Sequence, residues 1–563
     1  MASGDLIPRV YYGFRGVDFR GEEINLVRSP DSINMWKDYK ETESIRTRPD
    51  KELLSVFDET VYGIYFYKAG STEMMIVHSG TKLYKVIGEE AGNKNELLYE
   101  GVEAAKSNAF IYNNIWFFKD GANYLQYNGV SIGKVEGYVP TTSIARKPSG
   151  GGKTYEDVNM LSDYRINTFL ADGKSKEFFV DSPTIDDDFM PVVTVNDKET
   201  TNFTVDYAKS KITFTTAPAA PLTDGQDNVS IKYKKAIDKS RILKCTMLEL
   251  FDNRVFFSGN PDYPNMIWHC SLNDPTYCSD LDYYNEGLDT ARVMDMVAGN
   301  NVLWVFKEPS QANTTVFYHT PTIDSEYGKI YPNTHSSIST GCIGKAINFN
   351  DDIVFFSDRG MEGVSGDITT EQVISHRSIL VDRKLIAEAD YADMILEEWE
   401  GYLIVIIGNK AYLADSRAVF TNENHFEYEW FYWEFDKKIT CAKVNKGVLY
   451  LGTEDGIYTL TDTKSNVESY WVTPKDKFKH PQYVKTTNKR GCVVEATGDI
   501  SVYAKTEKTD FELIGTYENI NDSFVSRIKC KKFKDIQLKF YSKTRFSLET
   551  ATLECFIGGY VKR

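Results

Sequence analysis

A short unit recurs along this chain: an apolar run, a two-residue polar turn, and a strongly β-prone run. It reads Ala109-Phe-Ile-Tyr, Asn113-Asn114, Ile115-Trp-Phe-Phe, and again Leu250-Phe, Asp252-Asn253, Arg254-Val-Phe-Phe. It returns around Gly299-Asn300, Asn350-Asp351, Glu400-Gly401 and Lys446-Gly447, and a seventh copy, Tyr65-Phe-Tyr to Met75-Ile-Val, turns around Gly70. From residue 253 onward the turns fall at 253, 300, 351, 401 and 447, a spacing of roughly 45–50 residues that is the period of a four-stranded propeller blade. Several copies add a second turn and strand, as at Gly408-Asn409 and Asp455-Gly456. The spacing predicts an all-β chain built on a β-propeller of about seven blades; several sandwiches with chance spacing are the alternative. With 563 residues, more than one core is expected.

The period breaks once, between the second and third copies. That stretch opens with Ser149-Gly-Gly-Gly152 and continues as hairpin-like runs such as Val192-Val-Thr-Val, Phe203-Thr-Val-Asp-Tyr and Val229-Ser-Ile-Lys-Tyr, with Asn196-Asp197 as a tight-turn candidate. It predicts an inserted β-sandwich over 146–240, entered through a flexible glycine linker. The remaining divisions are an N-terminal segment over 1–54 that closes the propeller, blades over 55–145 and 241–465, and a C-terminal β domain over 466–563 with a basic flavour (Lys475, Lys485, Lys489, Arg490, Lys531). Helical periodicity is confined to 380–398, where one short helix is expected. Thirty-six Tyr and 32 Phe suit pleated, half-buried surfaces.

The formal net charge is -16. Gripping nucleic acid needs clustered Lys and Arg to neutralise phosphates, so the balance argues against a protein that grips nucleic acid and stays compatible with one that DNA passes without sticking. The longest apolar run, Tyr402 to Ile407, is far short of a membrane span and reads as a buried strand, so no membrane anchor is expected. The first residues lack a basic start and an apolar core, and no signal peptide is visible. The eight scattered Cys (245, 270, 278, 342, 441, 492, 530 and 555) read as reduced thiols buried as small hydrophobes, against a disulfide or metal framework.

The motifs that tempt a chemical assignment each have a plainer reading. Gly150-Gly-Gly-Lys153-Thr154 lacks the upstream glycine of a phosphate loop, where Lys147 stands instead, and lacks a helix to follow. The seven His (78, 269, 319, 335, 376, 425, 480) show no ligand spacing. Asp186-Asp187-Asp188 and Asn350-Asp351-Asp352 lack the alternating pattern of a calcium loop. Asn202, Asn228, Asn313 and Asn521 stand in chance glycosylation sequons. Phe426 to Phe435, where aromatics alternate with Glu up to Trp430, fits a half-buried strand better than a sugar-stacking platform. The boxes of sialidase-type propellers are absent. No catalytic, cofactor-binding or metal-ligating residue is therefore assigned, and no cofactor is expected.

Several segments nevertheless resemble the packaged-DNA stabilisation or tail-nozzle proteins of tailed bacteriophages, the tubular protein B type. They are Pro30-Asp-Ser-Ile-Asn34-Met-Trp36 leading to Arg46-Thr-Arg48-Pro49, Phe203 to Tyr207 followed by Ile212 to Pro218, Asn253 to Gly259 with Pro264 to Trp268 and Trp304 to Glu308, and Thr486 to Gly491. The resemblance implies a propeller, a ring usually of six copies, attachment below the head-to-tail adaptor, contact with tail fibre or tip proteins, and no catalysis. It places the protein in the virion tail, assembled in a host bacterial cytoplasm. The competing expectation is a carbohydrate-binding or glycan-cleaving propeller used for host-surface recognition.

Overall fold

The computed structural model describes residues 6–40, 44–86, 95–310, 314–325, 328–336, 338–365, 373–422, 425–462 and 466–560. Among them, seven antiparallel four-stranded sheets follow one another along the chain, over 61–100, 108–134, 247–285, 293–335, 346–376, 395–434 and 441–461, the last completed by Asp50–Val56. All seven repeats seen in the sequence are the first hairpins of these sheets. The fold is all-β: a β-propeller of seven blades with an inserted β-sandwich and a C-terminal β domain.

The turn chemistry explains why the repeats are so visible. A two-residue hairpin whose twist matches its strands needs positive φ at both central positions, which Asn, Asp and Gly tolerate best. Asn113 and Asn114 stand at 47° and 61°, Asp252 and Asn253 at 49° and 56°, Asn350 and Asp351 at 50° and 63°. In the fourth blade the pair is Asn300 and Asn301, at 55° and 60°, one residue later than the sequence places it. The strands after the turns are buried on both faces: Tyr402–Ile407 is buried at all six positions.

The chain divides into two compact units, Met1–Phe66, Met74–Leu97 and Ser336–Arg563 in one, Tyr67–Glu73 and Leu98–His335 in the other. The second contains blades two, three and four and the insert. The insert pairs a six-stranded sheet with a three-stranded one around Phe169, Phe178, Val193, Ile212, Phe214, Ile231 and Tyr233. Its glycine run is not the expected flexible linker. Gly150, Gly151 and Gly152, all at positive φ, form the turn between Thr141–Arg146 and Lys153–Thr154, which pair antiparallel, so the sheet starts ahead of the glycines.

In the first unit, Asp50–Val56 pairs along Gly456–Thr461, so a strand from the start of the chain finishes the blade begun near its end. Leu54 from this strand packs with Phe57, Val61, Val77 and Ile457. The residues before it join the C-terminal sheet. Leu6–Tyr11 pairs with Phe546–Tyr560, Ser32–Ile33 with Ser469–Val472, and Ile45–Thr47 with Phe546–Tyr560 as well. That sheet is organised on the 24-residue strand Tyr483–Thr506 and shares one core with blades six and seven, in which Ile404, Trp433, Trp471, Val502, Phe540 and Leu553 all lie.

Three further expectations are corrected. The helix expected over 380–398 shrinks to Asp382–Leu385, and Ile395–Trp399 is a strand paired with Tyr402–Ile407; the tight turn at Glu400-Gly401, both at positive φ, and the ladder it closes outweigh local helix propensity. The aromatic strand is buried on both faces: Tyr428, Trp430 and Tyr432 enter one core, while Phe431, Trp433 and Phe435 enter the other. Cys270 and Cys278 form a disulfide, because Ser271 bridges back to Asp274 and folds the intervening loop.

Valine in the left-handed region costs about 1–2 kcal/mol, so Asp351→Val lowers the free energy of unfolding by that amount, whereas Asp351→Gly leaves it nearly unchanged; urea denaturation followed by tryptophan fluorescence reads both.

Candidate functional site

In the first unit, Asn34 and Arg48 anchor a dense set of polar contacts. Asn34 adopts a left-handed φ of 57°, which an Asn accepts at little cost, and this turns its amide between three partners. Its Oδ1 accepts from the Arg48 guanidinium at 2.9 Å and from the Glu434 N–H at 2.8 Å, and its Nδ2 donates to the Glu468 carbonyl at 2.8 Å. Arg48 spends its remaining donors on the carbonyls of Pro49, at 2.8 Å, and Glu434, at 3.1 Å, and lies over the Phe435 ring at 4.6 Å. Burial pulls the Arg48 pKa down to about 10, still well above neutrality. Blade six, the approach to the C-terminal sheet, and the strand that completes blade seven are thus fastened to one side chain pair.

Around this joint lies a cleft of about 480 Å³ lined by Asn34, Arg48, Asp50, Lys51, Glu434, Asp436, Glu468 and Tyr470. Its charges are largely committed: Lys51 pairs with Asp436 at 2.5 Å, and the Glu434 carboxylate accepts from Tyr432 at 2.6 Å. Trp36 stacks on Trp399 with centroids 5.2 Å apart, and its edge meets Trp433 at 5.8 Å. Arg28 forks onto Glu429 with two bonds of 2.7 Å. Both members are buried, a pairing that fixes position more than it adds stability. The chemistry available here is mechanical.

The second unit holds a titratable cluster that sequence reading did not bring together. His319 Nδ1 faces the Tyr331 carbonyl at 2.8 Å, and its Nε2 lies 3.0 Å from Glu286, both side chains fully buried. Tyr284 stacks on His269 and packs against His319. Tyr331 receives Arg254 Nε on its hydroxyl at 2.9 Å, so it links the third and fourth blades. Burial pushes Glu249 up to about 7 and Asp282 up to about 6, and pulls His269 down to about 4. Shifted carboxylates and imidazoles are what catalytic sites use, but Glu286 and His319 are enclosed away from any substrate, and Tyr331 sits among Phe251, Phe256 and His269. The cluster reads as a polar link between neighbouring sheets. Its members run from Arg254 to Tyr331 with no shared motif, so no local pattern marks them.

The other sequence candidates are placed as follows. Lys153-Thr154 is an edge strand of the insert. Asp188 pairs with Lys234 and Asp186 accepts from the Ala236 N–H. Asp352 is forked by Arg377 and accepts from Tyr428 at 2.9 Å. His78 is buried against the Gly80 carbonyl, and His376 pairs with Asp382 and Glu362. His335 is exposed and His480 half-buried. Asn313 and the His425 side chain lie outside the described residues. Among the described residues, no group of three or more His, Cys, Asp or Glu could hold a metal ion, and no helix is long and apolar enough to cross a membrane.

No protein-family model matches the chain, and no curated protein matches it. Solved structures overlap it loosely. BamB from Moraxella catarrhalis is 10% identical, with 73% of this chain and 97% of that one covered at a TM-score of 0.34. The computationally designed Ika8 protein is 10% identical, covering 72% and 98% at 0.31. An exo-β-1,3-galactanase from Phanerochaete chrysosporium is 8% identical, covering 55% and 94% at 0.21. Overlaps this loose carry no argument; the fold rests on the seven sheets themselves.

Two outcomes follow. Arg48→Ala takes the guanidinium from the Pro49 and Glu434 carbonyls and leaves Asn34 Oδ1 with the Glu434 N–H alone, which destabilises the first unit by about 2–4 kcal/mol, and Arg48→Lys restores little because an ammonium cannot fork to these acceptors; thermal denaturation reads both. Glu249 is protonated in the fold at pH values where the unfolded chain has lost its proton, so its contribution to stability falls as pH rises from about 4.5 through about 7. The melting temperature of Glu249→Gln relative to the native chain therefore climbs across that window. A constant difference would show that Glu249 titrates normally.

Proposed function

We propose that this chain is a non-enzymatic structural component of a bacteriophage virion tail. In this reading it forms a nozzle or hub ring that continues the head-to-tail DNA channel, retains the packaged DNA and lets it exit at ejection. The observation that carries the reading is the use made of the residues that resemble the tail-nozzle family. Asn34 and Arg48 form the joint, Phe256, Phe257 and Trp268 are fully buried blade residues, and Thr486 to Gly491 lie on the long terminal strand. These segments build a frame. A ring of six copies, an adaptor above it and fibre or tip proteins beside it are what the resemblance adds.

The charge supports the same role. With 81 acidic residues against 65 basic ones, an inner wall of carboxylates lets a polyanion slide, since each Lys or Arg contact to phosphate adds a counterion-release gain that retards it. Screening limits that repulsion to about 8–10 Å at physiological salt, so it acts at a constriction.

Negative-stain electron microscopy of the purified full chain tests the assembly. Closed rings with an axial opening are expected. Uniform monomers that bind immobilised glycans would overturn the reading in favour of a host-surface carbohydrate propeller.

A further inference from the structure

The C-terminal sheet turns one face to solvent, on which exposed apolar residues stand among threonines and the carboxylates of Glu495 and Glu554. Side chains of one strand parity line up across four strands in two rows. In the first row Leu6 stands opposite Phe556, Phe556 opposite Thr486, and Thr486 opposite Lys531. In the second, Val10 stands opposite Thr552, Thr552 opposite Val493, and Val493 opposite Val525. Leu6, Val10, Val493, Val525 and Phe556 are between 37% and 49% exposed, although each has the position and type of a residue that a sheet ordinarily covers.

Between the two rows the long strand bulges. Thr487 pairs with Cys555 and Cys492 with Leu553, so 488–491 stand against Glu554 alone, and Gly491 turns at a φ of 80°. A Cβ on Gly491 would strike the backbone of Ser526, Arg527 and Ile528. The bulge therefore lies directly against the segment that follows Val525. Lys489 and Arg490 on one side and Arg527, Lys529, Lys531 and Lys532 on the other are all exposed. Among the described residues none of the six has an acidic partner, whereas Lys475, Lys477 and Lys505, on the same domain, are paired with Glu22 and Glu23.

Charge is also segregated along the chain. Residues 466–563 contain 18 Lys and Arg against 12 Asp and Glu, leaving 47 against 69 in residues 1–465. The chain thus contains a basic, apolar-ridged face and, elsewhere, a large surplus of acid. Phosphate alone does not explain the face, because rows of Val, Leu and Phe gain nothing from a polyanion's solvated backbone. An acidic protein surface with apolar residues at its centre satisfies both features.

We propose that this face is the docking surface for a second copy of the chain, which presents its acidic portion to the Lys489–Arg490 bulge and the Val493–Val525 row. Such a contact joins different patches on the two copies, and head-to-tail contacts of that kind generate rings where the rotation between copies closes and open filaments where it does not. The inference rests on the ring reading above and assigns the surface that builds it.

Sedimentation velocity on the full chain tests it, with the native protein compared with Lys489→Glu/Arg490→Glu/Arg527→Glu and, separately, with Val493→Thr/Val525→Thr. The threonine pair keeps strand propensity, and far-ultraviolet circular dichroism confirms that both variants fold. The native chain is expected to self-associate, more weakly as salt rises from about 0.1 M to about 1 M and the screening length falls from about 10 Å to about 3 Å. Both variants are expected to associate at least about tenfold more weakly, a loss of about 1.4 kcal/mol. Unchanged association of both variants, with rings still visible by microscopy, overturns this surface and leaves the ring standing. A native chain that stays monomeric at every salt concentration overturns the ring itself. Loss of binding to a short duplex DNA in the charge variant, with self-association intact, overturns the proposal in favour of a phosphate-binding face.

Discussion

The pairing of Asp50–Val56 with Gly456–Thr461 is the constraint on which the rest of the chain depends. It joins segments some 400 residues apart and gives the last blade the strand it lacks. A blade missing a strand exposes an unpaired edge, and closing so long a loop is costly in entropy, so the closing strand must be delivered accurately. The Asn34–Arg48 joint does this. It fixes the backbone just before Pro49, whose ring restricts the residue ahead of it to an extended course. Leu54 then reaches its core beside Ile457. The same joint carries the C-terminal sheet, so one short segment sets both the last blade and the domain beyond it.

How much of this is legible in the sequence depends on which physical rule governs each element. The blade hairpins are legible because positive φ at two adjacent positions admits few residues, and Asn113-Asn114 or Lys446-Gly447 announce themselves. The strand Tyr402–Ile407 is legible because burial on both faces requires an unbroken apolar run. The region 380–398 is misleading: Leu385 and Ile395 suit either period, and only pairing with a later strand decides between them. The aromatic strand looks half-buried because Glu427 and Glu429 alternate with its rings, yet Glu429 is buried and neutralised by Arg28, 401 residues away. The short N-terminal strands are invisible for the same reason, since Ser32–Ile33 and Met35–Trp36 are strands only because Trp471 and Thr47 meet them.

Buried charge follows one pattern throughout. Arg28 with Glu429, Arg377 with Asp352, and Arg9 with Asp476 each connect segments that local sequence does not bring together. Removing one partner from such a pair is strongly destabilising, although the pair itself adds little. These pairs specify which segments meet. The polar link of Tyr331, Arg254 and Asp252 plays the corresponding part between blades three and four. The unpaired cations of the terminal face stand apart from this pattern, and so read as outward-facing rather than structural.

The central claim is that the acidic surplus serves a passage for DNA. A cryo-electron microscopy reconstruction of the assembled protein, at a resolution that shows side chains, tests it most directly. The account predicts a closed ring whose narrowest bore is lined by Asp and Glu, with the Lys489–Arg490 face turned toward a neighbouring copy. A bore lined by Lys and Arg, with the surplus carboxylates spread over the outer surface, would contradict it.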